Sequence, residues 1–213
     1  MAYDFNKIAT NYDRLNHIMT LGMDCRWRRK AANTLCGKAL DVACGTGDMV
    51  VELQKRGCTV TGVDLSEEMM AIARHKAPSA TYMIADAEQM PFGVGSFDTV
   101  TCCFGVRNFV HLDKGLAEMA RVLKSGGKMT ILEMATPDSR LVRPFYNFYT
   151  RRVIPLLGKW LAGNREAYTY LPTSIERFPK GEAMLAKLDA VGIKASQKKF
   201  FFGVCRMYQG IKN

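Results

Sequence analysis

Short apolar runs alternate with segments of helical spacing through the middle of the chain, and this order constrains the fold more than any other feature. Five runs have the apolar or β-branched content of strands, and glycine, proline or aspartate bounds each of them. They are Lys38–Ala43, Thr59–Val63, Thr81–Ala85, Phe97–Phe104 and Lys128–Met134. Because strands that alternate with helices form right-handed crossovers, the pattern predicts an α/β fold with a mainly parallel sheet and helices on both faces.

The segments between these strands carry helix signals. Gly47–Arg56, Ser66–His75 and Leu112–Leu123 have apolar residues at helical spacing. Ser66 precedes two glutamates, so we predict that it is an N-cap. The pair Gly126-Gly127 is predicted to end the Leu112–Leu123 helix before the next strand.

The regions outside this alternation are predicted to complete one domain, 1–213, since 213 residues leave little room for a second. Residues 1–37 are polar and basic, and we predict a helical N-terminal cap there. Residues 138–180 are rich in aromatic side chains and arginines, and they are predicted to form a lid. A helix at Gly181–Val191 should precede an antiparallel strand pair within Ile193–Ile211.

Composition excludes several classes of protein. No apolar stretch reaches the roughly 20 residues of a membrane helix, and the N-terminus lacks the pattern of a secretion signal, so we predict a cytoplasmic protein. Seven cysteines with no Cys-x-x-Cys pair argue against a disulfide framework and against a structural metal. The net charge of +10 permits a nucleic acid, an anionic lipid surface or an acidic substrate, and it serves solubility equally well.

A glycine turn follows the first predicted strand and opens a predicted helix, at Asp41–Asp48. The dinucleotide fingerprint G-x-G-x-x-G needs a third glycine, but that position is Val50, which disfavours NAD. The remaining pattern is typical of S-adenosylmethionine (SAM) methyltransferases. We therefore predict that Gly45, Thr46 and Gly47 form the cofactor turn and that Asp41 serves the methionine end.

Two further aspartates end predicted strands at the same edge of the sheet, where parallel sheets bind ligands. Asp64 ends the second strand and is predicted to accept both ribose hydroxyls. Asp86 follows the third strand and is predicted to accept the adenine amino group, while the backbone of Ala87 contacts the ring edge.

Motifs along almost the whole chain resemble the UbiE/MenG family of demethylmenaquinone and 2-polyprenyl-benzoquinol C-methyltransferases. Those that carry the resemblance are Phe5–Ala9, Tyr12-Asp13, Asn16, Trp27-Arg28, Asp41–Asp48, Phe104–Phe109, Glu118–Lys124, Leu132–Pro137, Tyr170–Ile175 and Phe178-Pro179. The resemblance implies a Rossmann-like SAM methyltransferase fold and C-methylation of a polyprenylated quinol. Demethylmenaquinol is the first candidate, and another small molecule is an alternative acceptor. Its cofactor positions map to Thr46, Asp64, Asp86 and Ala87, and Cys103 stands where some members have a serine.

Methylation of a quinol carbon needs the ring to lose a hydroxyl proton. Arg107 lies just past the fourth predicted strand, so we predict that its cation supports the developing phenolate or orients a water. Asn108 is predicted to bind a ring oxygen. His111 is the one histidine near this edge and is a candidate base, although a histidine at a helix start is more often a cap.

The lid is predicted to offer an apolar path for an isoprenoid tail and a basic rim for lipid phosphates, so we expect peripheral contact with an anionic membrane. Aromatic residues beside arginines also suit single-stranded RNA, but the fourth strand lacks the Asn/Asp-Pro-Pro-Tyr/Phe turn of base-amino methyltransferases, so nucleic acid is disfavoured. A SAM-binding protein without catalysis remains an alternative. The ring type and the oligomeric state stay open.

Overall fold

One sheet of seven strands organises the protein. The computed structural model describes residues 9–156 and 166–213. The strands are β1 Lys38–Val42, β2 Thr59–Asp64, β3 Thr81–Ile84, β4 Phe97–Cys103, β5 Leu123–Met134, β6 Ile193–Phe200 and β7 Cys205–Lys212. Their order is β3-β2-β1-β4-β5-β7-β6, in which β7 pairs antiparallel with both β5 and β6 and the other pairs are parallel. The prediction of a mainly parallel sheet with a C-terminal antiparallel pair is confirmed.

Eight helices accompany the strands in the described residues. They are α1 Ala9–Met19, α2 Met23–Ala32, α3 Asp48–Gln54, α4 Glu67–Lys76, α5 Leu112–Val122, α6 Arg143–Phe148, α7 Glu166–Arg177 and α8 Glu182–Ala190. A 3₁₀ turn at Val106–Asn108 follows β4, and a π-helical turn at Tyr149–Val153 follows α6. The predicted N-cap is confirmed, since the Ser66 hydroxyl accepts a hydrogen bond from the Met69 backbone N–H at 3.2 Å.

Buried residues cover both faces of the sheet, because parallel strands lie between two helical layers. Leu40 and Val42 belong to one buried cluster with Leu116 of α5. Ala39, whose side chain leaves the opposite face of β1, belongs to another with Trp27 of α2. Strand order reverses at β1, which lies between β2 and β4, and this reversal opens a crevice at the carboxyl ends of the strands.

The predicted role of the glycine pair Gly126-Gly127 is wrong. Helix α5 ends at Val122, and β5 begins at the next residue, so both glycines lie inside the strand. They coincide with an irregularity in the β4–β5 register, between the pairs Phe97–Leu123 and Thr99–Lys128. Gly126 has a φ of 75°, and a Cβ atom on Gly127 would lie 2.8 Å from the Lys124 carbonyl oxygen. The glycines therefore permit a bulge rather than a helix end.

The regions that flank the alternation follow the prediction where the structure describes them. The N-terminal cap contains α1 and α2, and α8 precedes the pair β6–β7 as expected. Residues 1–8 of the predicted cap lie outside the described residues, as do Trp160 and Arg165 of the predicted lid and the side chains of Tyr168 and Tyr170. The assignment of 1–213 to one domain stays a prediction. None of the described helices is long and apolar enough to cross a membrane.

Candidate active site

A cavity of about 230 Å³ lies in the crevice at the carboxyl ends of β1 to β4. It brings together nearly all the residues predicted to bind the cofactor. Those that line it are Asp41, Gly45, Thr46, Asp64, Asp86, Ala87 and Cys103, together with Asn108 from the predicted catalytic set. Gly47 does not line the cavity; it begins α3 with a φ of 83°. We refer to this space as the polar cavity.

The turn after β1 adopts backbone angles that most residues avoid. Ala43 and Gly45 both have a φ of 52°, in the left-handed region. At Gly47 a Cβ atom would also lie 2.9 Å from the Cβ of Ala73 in α4, so the glycine is needed for packing as well as for conformation. The turn thus exposes backbone groups to the cavity that side chains would otherwise cover.

Asp64 joins the glycine turn to the start of α4. Its Oδ2 accepts a hydrogen bond from the Gly45 N–H at 2.8 Å, and its Oδ1 accepts one from the Ser66 N–H at 2.9 Å. Burial raises the pKa of this carboxyl, while hydrogen bonds from the backbone N–H groups of Ser66, Gly45 and Leu65 oppose the rise. Because a carboxylate has about four acceptor positions, Asp64 keeps capacity for a ligand that enters the cavity.

Asp41 is almost fully buried at the end of β1. The Thr101 hydroxyl donates a hydrogen bond to its Oδ1 at 2.7 Å. Burial raises the pKa of Asp41 to about 7, with the Thr101 hydrogen bond opposing the rise. A cationic group in the cavity would favour the carboxylate form, since an opposite charge nearby lowers the pKa of an acid.

The two residues predicted to contact adenine, Asp86 and Ala87, lie at an exposed edge of the polar cavity. Asp86 follows β3 by two residues, and its Oδ1 accepts a hydrogen bond from the Glu88 N–H at 2.9 Å. Ala87 lies between them and lines the cavity. This local turn presents a carboxylate and a backbone segment to the same space, and the contact with adenine stays a prediction.

The N-terminal helices are held to the glycine turn by charged side chains. Sequence reasoning considered Asp13 and Tyr12 as candidate bases and did not predict these pairings. Asp13 of α1 accepts hydrogen bonds from the Thr46 hydroxyl and from Lys76 Nζ, both at 2.5 Å. Lys76, in α4, also donates to Asp48 at 2.8 Å. This set ties α1, the glycine turn and α4 together at one side of the polar cavity. The motif Tyr12-Asp13 was a signal for it, but the partners are more than 30 residues away.

Arg28 of α2 was noted only as part of a motif, yet it lines the polar cavity. Its Nη1 donates to Asp24 Oδ2 at 2.6 Å and lies 3.6 Å from Asp48 Oδ2. The guanidinium carbon is 4.9 Å from the centroid of the Phe104 ring. Burial would lower the pKa of Arg28, but the carboxylates of Asp48 and Asp24 raise it above its ordinary value, so this buried side chain is a cation.

A second cavity of about 600 Å³ lies beside the first and has a mostly apolar wall. Its wall comes from α1, α2, α6, the π-helical turn and the turn between β6 and β7. The residues that line both cavities are Tyr12, Arg28 and Phe104. Burial raises the pKa of Tyr12, while the charges of Arg107 and Arg28 oppose the rise. We refer to this space as the apolar cavity.

Arg107 and Asn108 are neighbours in sequence but line different cavities. Arg107 lines the apolar cavity, and Asn108 lines the polar one. The Nη1 of Arg107 donates to Glu133 Oε1 and to the Phe104 carbonyl oxygen, both at 2.6 Å. The side chains of Arg107 and Glu133 are 7% and 1% exposed, so this is a buried ion pair rather than a surface one. Glu133, at the end of β5, had no predicted role.

His111 is not among the residues that line either cavity. Its side chain is 58% exposed, and its Nδ1 lies 2.7 Å from Glu88 Oε2. The His111 N–H also donates to Glu88 Oε1 at 2.6 Å, just before α5 begins. Its role as a base stays a prediction, and its hydrogen bonds to Glu88 are those of a residue that anchors the start of α5.

Cys103 lines the polar cavity, and burial raises the pKa of its thiol well above the ordinary value. A protonated thiol is a weak nucleophile, which agrees with a contact role. Within the described residues, His17, Asp24 and Cys25 bring ligand-type atoms within 4.8 Å of one another. Asp24 Oδ2 in this group already accepts from Arg28 at 2.6 Å, so the arginine competes with any cation there.

Comparison with known proteins relates the chain to one family. Residues 2–212 match the family model described as the ubiE/COQ5 methyltransferase family. The chain is 41% identical to the demethylmenaquinone methyltransferase of Bacteroides fragilis, with 98% of this chain and 90% of that protein covered. It is also 41% identical to the ubiquinone/menaquinone biosynthesis C-methyltransferase UbiE of Geobacter sulfurreducens, with 98% and 86% covered.

A solved structure shows the same fold at lower identity. A SAM-dependent methyltransferase of Thermotoga maritima superimposes with a TM-score of 0.72 at 19% identity, and the match covers 98% of each chain. The Rossmann-like methyltransferase fold is therefore confirmed.

Replacement of Asp64 by alanine tests the predicted contact with the cofactor ribose. We expect SAM to bind about 1.5 to 3 kcal/mol more weakly, because hydrogen bonds to a charged group contribute about that much. Isothermal titration calorimetry gives the Kd, and Asp98→Ala, which removes a carboxylate bound to Lys38 and Lys124 away from the cavity, is the matched control.

Because Asp64 also supports the glycine turn, the same titration is repeated with 2′,3′-dideoxy S-adenosylhomocysteine and its parent. The penalty of Asp64→Ala should nearly vanish for the dideoxy ligand. An equal penalty for both ligands would leave Asp64 as a support for the turn and contradict the ribose contact.

Proposed function

The chain belongs to the ubiE/COQ5 methyltransferase family, and from that premise we propose that it transfers the methyl group of SAM to a ring carbon of demethylmenaquinol. The family membership makes it a SAM-dependent methyltransferase of quinone biosynthesis. The choice of demethylmenaquinol rests on the relatives named as demethylmenaquinone methyltransferases. The single observation that supports the reaction best is the meeting of a polar and an apolar cavity at three shared residues.

The two cavities differ in the way that the two substrates differ. SAM carries an amino acid, a ribose and an adenine, and the polar cavity offers Asp41, Asp64 and Asp86 to these groups. A polyprenylated quinol carries a long hydrocarbon tail, and the apolar cavity offers it a wall of aliphatic and aromatic side chains. Methyl transfer takes place where the sulfonium meets the ring, which we assign to the junction at Tyr12, Arg28 and Phe104.

The reaction needs alignment and charge stabilisation more than a strong base. The methyl–sulfur bond breaks as the methyl–carbon bond forms, and S-adenosylhomocysteine leaves. The ring carbon then loses its proton to water and the ring oxygen regains one, so the aromatic quinol is restored with a net release of one proton. Holding the two reactants in line supplies much of the acceleration, since effective molarity is worth roughly 7 to 11 kcal/mol. The ring becomes nucleophilic when one of its hydroxyl groups loses its proton.

We assign the support of this phenolate to Arg107. Its guanidinium lines the apolar cavity and is oriented by Glu133 and by the Phe104 carbonyl oxygen. Arginine stays protonated in proteins, so it acts as a fixed cation and not as a direct base. Asn108 was predicted to bind a ring oxygen, but it lines the polar cavity and not the apolar one, so we assign it instead to a polar contact on the cofactor side. His111 would have to act through Glu88 or through water, because its ring is exposed and outside the cavity walls.

Transfer of labelled methyl from SAM tests the function directly. We expect label in reduced, short-tailed demethylmenaquinone, with the benzoquinol analogue as a second acceptor and RNA as a parallel one. Incorporation into the benzoquinol alone would change the ring assignment. Label in RNA alone, or no label in any acceptor despite SAM binding, would contradict the proposal.

Replacement of Arg107 by methionine is expected to reduce kcat by at least about 100-fold while the Kd for SAM stays nearly constant. The single change also leaves Glu133 as an unpaired buried carboxylate, which costs about 3 to 5 kcal/mol of stability. The double variant Arg107→Met/Glu133→Gln removes that charge, so its thermal melting temperature should recover while its kcat stays low. Recovery of kcat together with stability would show that Arg107 acts only through the fold.

A membrane surface is the natural source of such a substrate, and we propose that the mouth of the apolar cavity contacts an anionic bilayer. Five residues at the wall of this cavity are large, apolar and exposed. They are Leu21, Leu141, Phe145, Phe201 and Phe202, with exposures from 54% to 83%. They come from three separate segments, so the exposed apolar surface forms only in the folded protein. We refer to these five residues as the rim.

Basic side chains stand next to the rim in sequence. Exposed Arg140 and Arg143 flank Leu141, and exposed Lys198 and Lys199 precede the two phenylalanines of the β6–β7 turn. Lys199 pairs with Asp138 at 2.7 Å. Exposed apolar side chains with basic residues beside them in the chain fit the interface of a bilayer that carries anionic lipids.

The backbone angles of three rim residues support a contact between the rim and an apolar partner. Leu21, Phe201 and Phe202 have φ values of 52°, 44° and 55°, which bulky residues rarely adopt. Apolar side chains at such positions lose stability in water without gaining burial, so an external apolar partner would account for them.

Cosedimentation with vesicles tests the membrane contact. We expect binding to vesicles of phosphatidylcholine with 30% phosphatidylglycerol, and a loss of at least about tenfold in Phe201→Asn/Phe202→Asn, because asparagine accepts left-handed angles but removes apolar area. The matched control is Val94→Asn/Ile211→Asn, which changes two exposed apolar residues outside the apolar cavity.

The charge contribution is measured with Arg140→Gln/Lys198→Gln against Lys194→Gln/Arg56→Gln. Each neutralised cation beside the rim should weaken vesicle binding about fivefold, and only for the anionic vesicles. Equal binding by the rim and control variants, or no vesicle binding by the wild type, would contradict the membrane contact.

A further inference from the structure

Tyr146 of α6 presents a hydroxyl group that the fold leaves without a partner. The oxygen is buried, and it makes no hydrogen bond with any residue of 9–156 and 166–213. The side chain lines the apolar cavity. Buried hydroxyl groups in proteins are nearly always hydrogen-bonded, because burial removes the water that would otherwise serve them.

Neighbouring polar groups in the same cavity wall show the usual behaviour. The Tyr149 hydroxyl donates to the Met19 carbonyl oxygen at 2.9 Å, and the Thr150 hydroxyl donates to the Tyr146 carbonyl oxygen at 2.9 Å. Both side chains line the cavity as well. The hydroxyl of Tyr146 is therefore exceptional within its own segment, and phenylalanine would fill the same volume without the penalty.

Arg107 is close enough for its charge to act on the hydroxyl of Tyr146. Burial raises the pKa of Tyr146, and the positive charge of Arg107 opposes the rise. The phenol thus stays protonated near neutral pH, so it has a proton to donate. A buried donor and a buried cation then face the same apolar space.

We propose that Tyr146 donates a hydrogen bond to one ring oxygen of the quinol and thereby sets the orientation of the ring relative to Arg107. The assignment rests on the proposed function, since it takes a dihydroxy aromatic ring as the occupant of the apolar cavity. An isoprenoid tail can slide along an apolar wall, so it does not define which ring carbon meets the sulfonium. A donor at one oxygen and a cation near the ring define that orientation with two polar contacts.

The same arrangement accounts for selectivity against rings that lack the oxygen. A site that leaves a buried hydroxyl unpaired when the wrong ligand binds discriminates strongly against that ligand. Tyr146 would then belong to the residues that determine specificity, while the methyl transfer itself depends on other groups.

The test compares Tyr146→Phe with the matched control Tyr149→Phe in the full-length protein. The ligands are reduced, short-tailed demethylmenaquinone and the two analogues in which one or the other ring hydroxyl is replaced by hydrogen. Binding is followed by intrinsic tryptophan fluorescence in a Trp160→Phe background, in which Trp27 of the cavity wall is the one tryptophan, and turnover by labelled methyl transfer. Calorimetric SAM binding and thermal melting are recorded for each variant.

We expect Tyr146→Phe to bind the quinol about three- to tenfold more weakly, which corresponds to one neutral hydrogen bond. Its SAM affinity should be unchanged, and its melting temperature equal to the wild type or higher, because no hydrogen bond of the described residues is lost. Tyr149→Phe should melt lower, since it loses the bond to Met19. The monohydroxy analogue that lacks the oxygen bound by Tyr146 should bind wild type and Tyr146→Phe equally, whereas the other analogue should bind the variant more weakly.

Equal quinol affinity of Tyr146→Phe and wild type would overturn the assignment, as would a loss of the same size with both monohydroxy analogues. A lower melting temperature of Tyr146→Phe would also overturn it, because the hydroxyl would then have a structural partner. A wild-type protein that neither binds nor methylates the quinol overturns the proposed function and this assignment together, whereas wild-type turnover with an unaffected Tyr146→Phe overturns the assignment alone.

Discussion

The left-handed turn after β1 is the constraint on which the site depends. Parallel strands deliver their carboxyl ends to one edge of the sheet, and the reversal of strand order at β1 leaves a crevice there. The chain can enter α3 from this crevice only by a tight turn, for which Ala43, Gly45 and Gly47 take positive φ angles. Asp64 holds the turn through the Gly45 N–H, so one carboxylate couples β2, the turn and α4. The other residues predicted to bind the cofactor, Asp41, Asp86, Ala87 and Cys103, line the same cavity.

The N-terminal helices convert the open crevice into two separate cavities. Arg28 is carried across the sheet edge by α2, and it stacks on Phe104 while it bonds to Asp24. Asp13 and Lys76 close the other side. A buried pair such as Arg28–Asp24 contributes little to stability on balance, because desolvation offsets its attraction. The effect of these charges here is to hold a cationic junction between a polar space and an apolar one.

The wall of the apolar cavity carries two polar groups that differ in whether the fold gives them a partner. Its wall carries Arg107, which the fold pairs with Glu133, and Tyr146, whose hydroxyl has no partner in the described residues. The paired group supplies a fixed charge, whereas the unpaired one supplies an unsatisfied donor. An aromatic ring with two oxygens satisfies both requirements, and its hydrocarbon tail would leave by the exposed rim. In the proposed function, the same cavity would link ring recognition to the proposed contact with lipid.

The sequence by itself determined the order of strands and helices, the position of the cofactor turn and the aspartates at the strand ends, because these depend on local periodicity and on residues close in the chain. It misjudged Gly126-Gly127, since a bulge depends on the neighbouring strand β4. Only the tertiary structure decided that Arg107 and Asn108 serve different cavities, that Glu133 pairs with Arg107, and that Arg28 reaches the junction. Arg107 and Glu133 are 26 residues apart in the chain, whereas the neighbours Arg107 and Asn108 line different cavities. No local sequence pattern encodes which distant side chains the folded sheet edge will bring together.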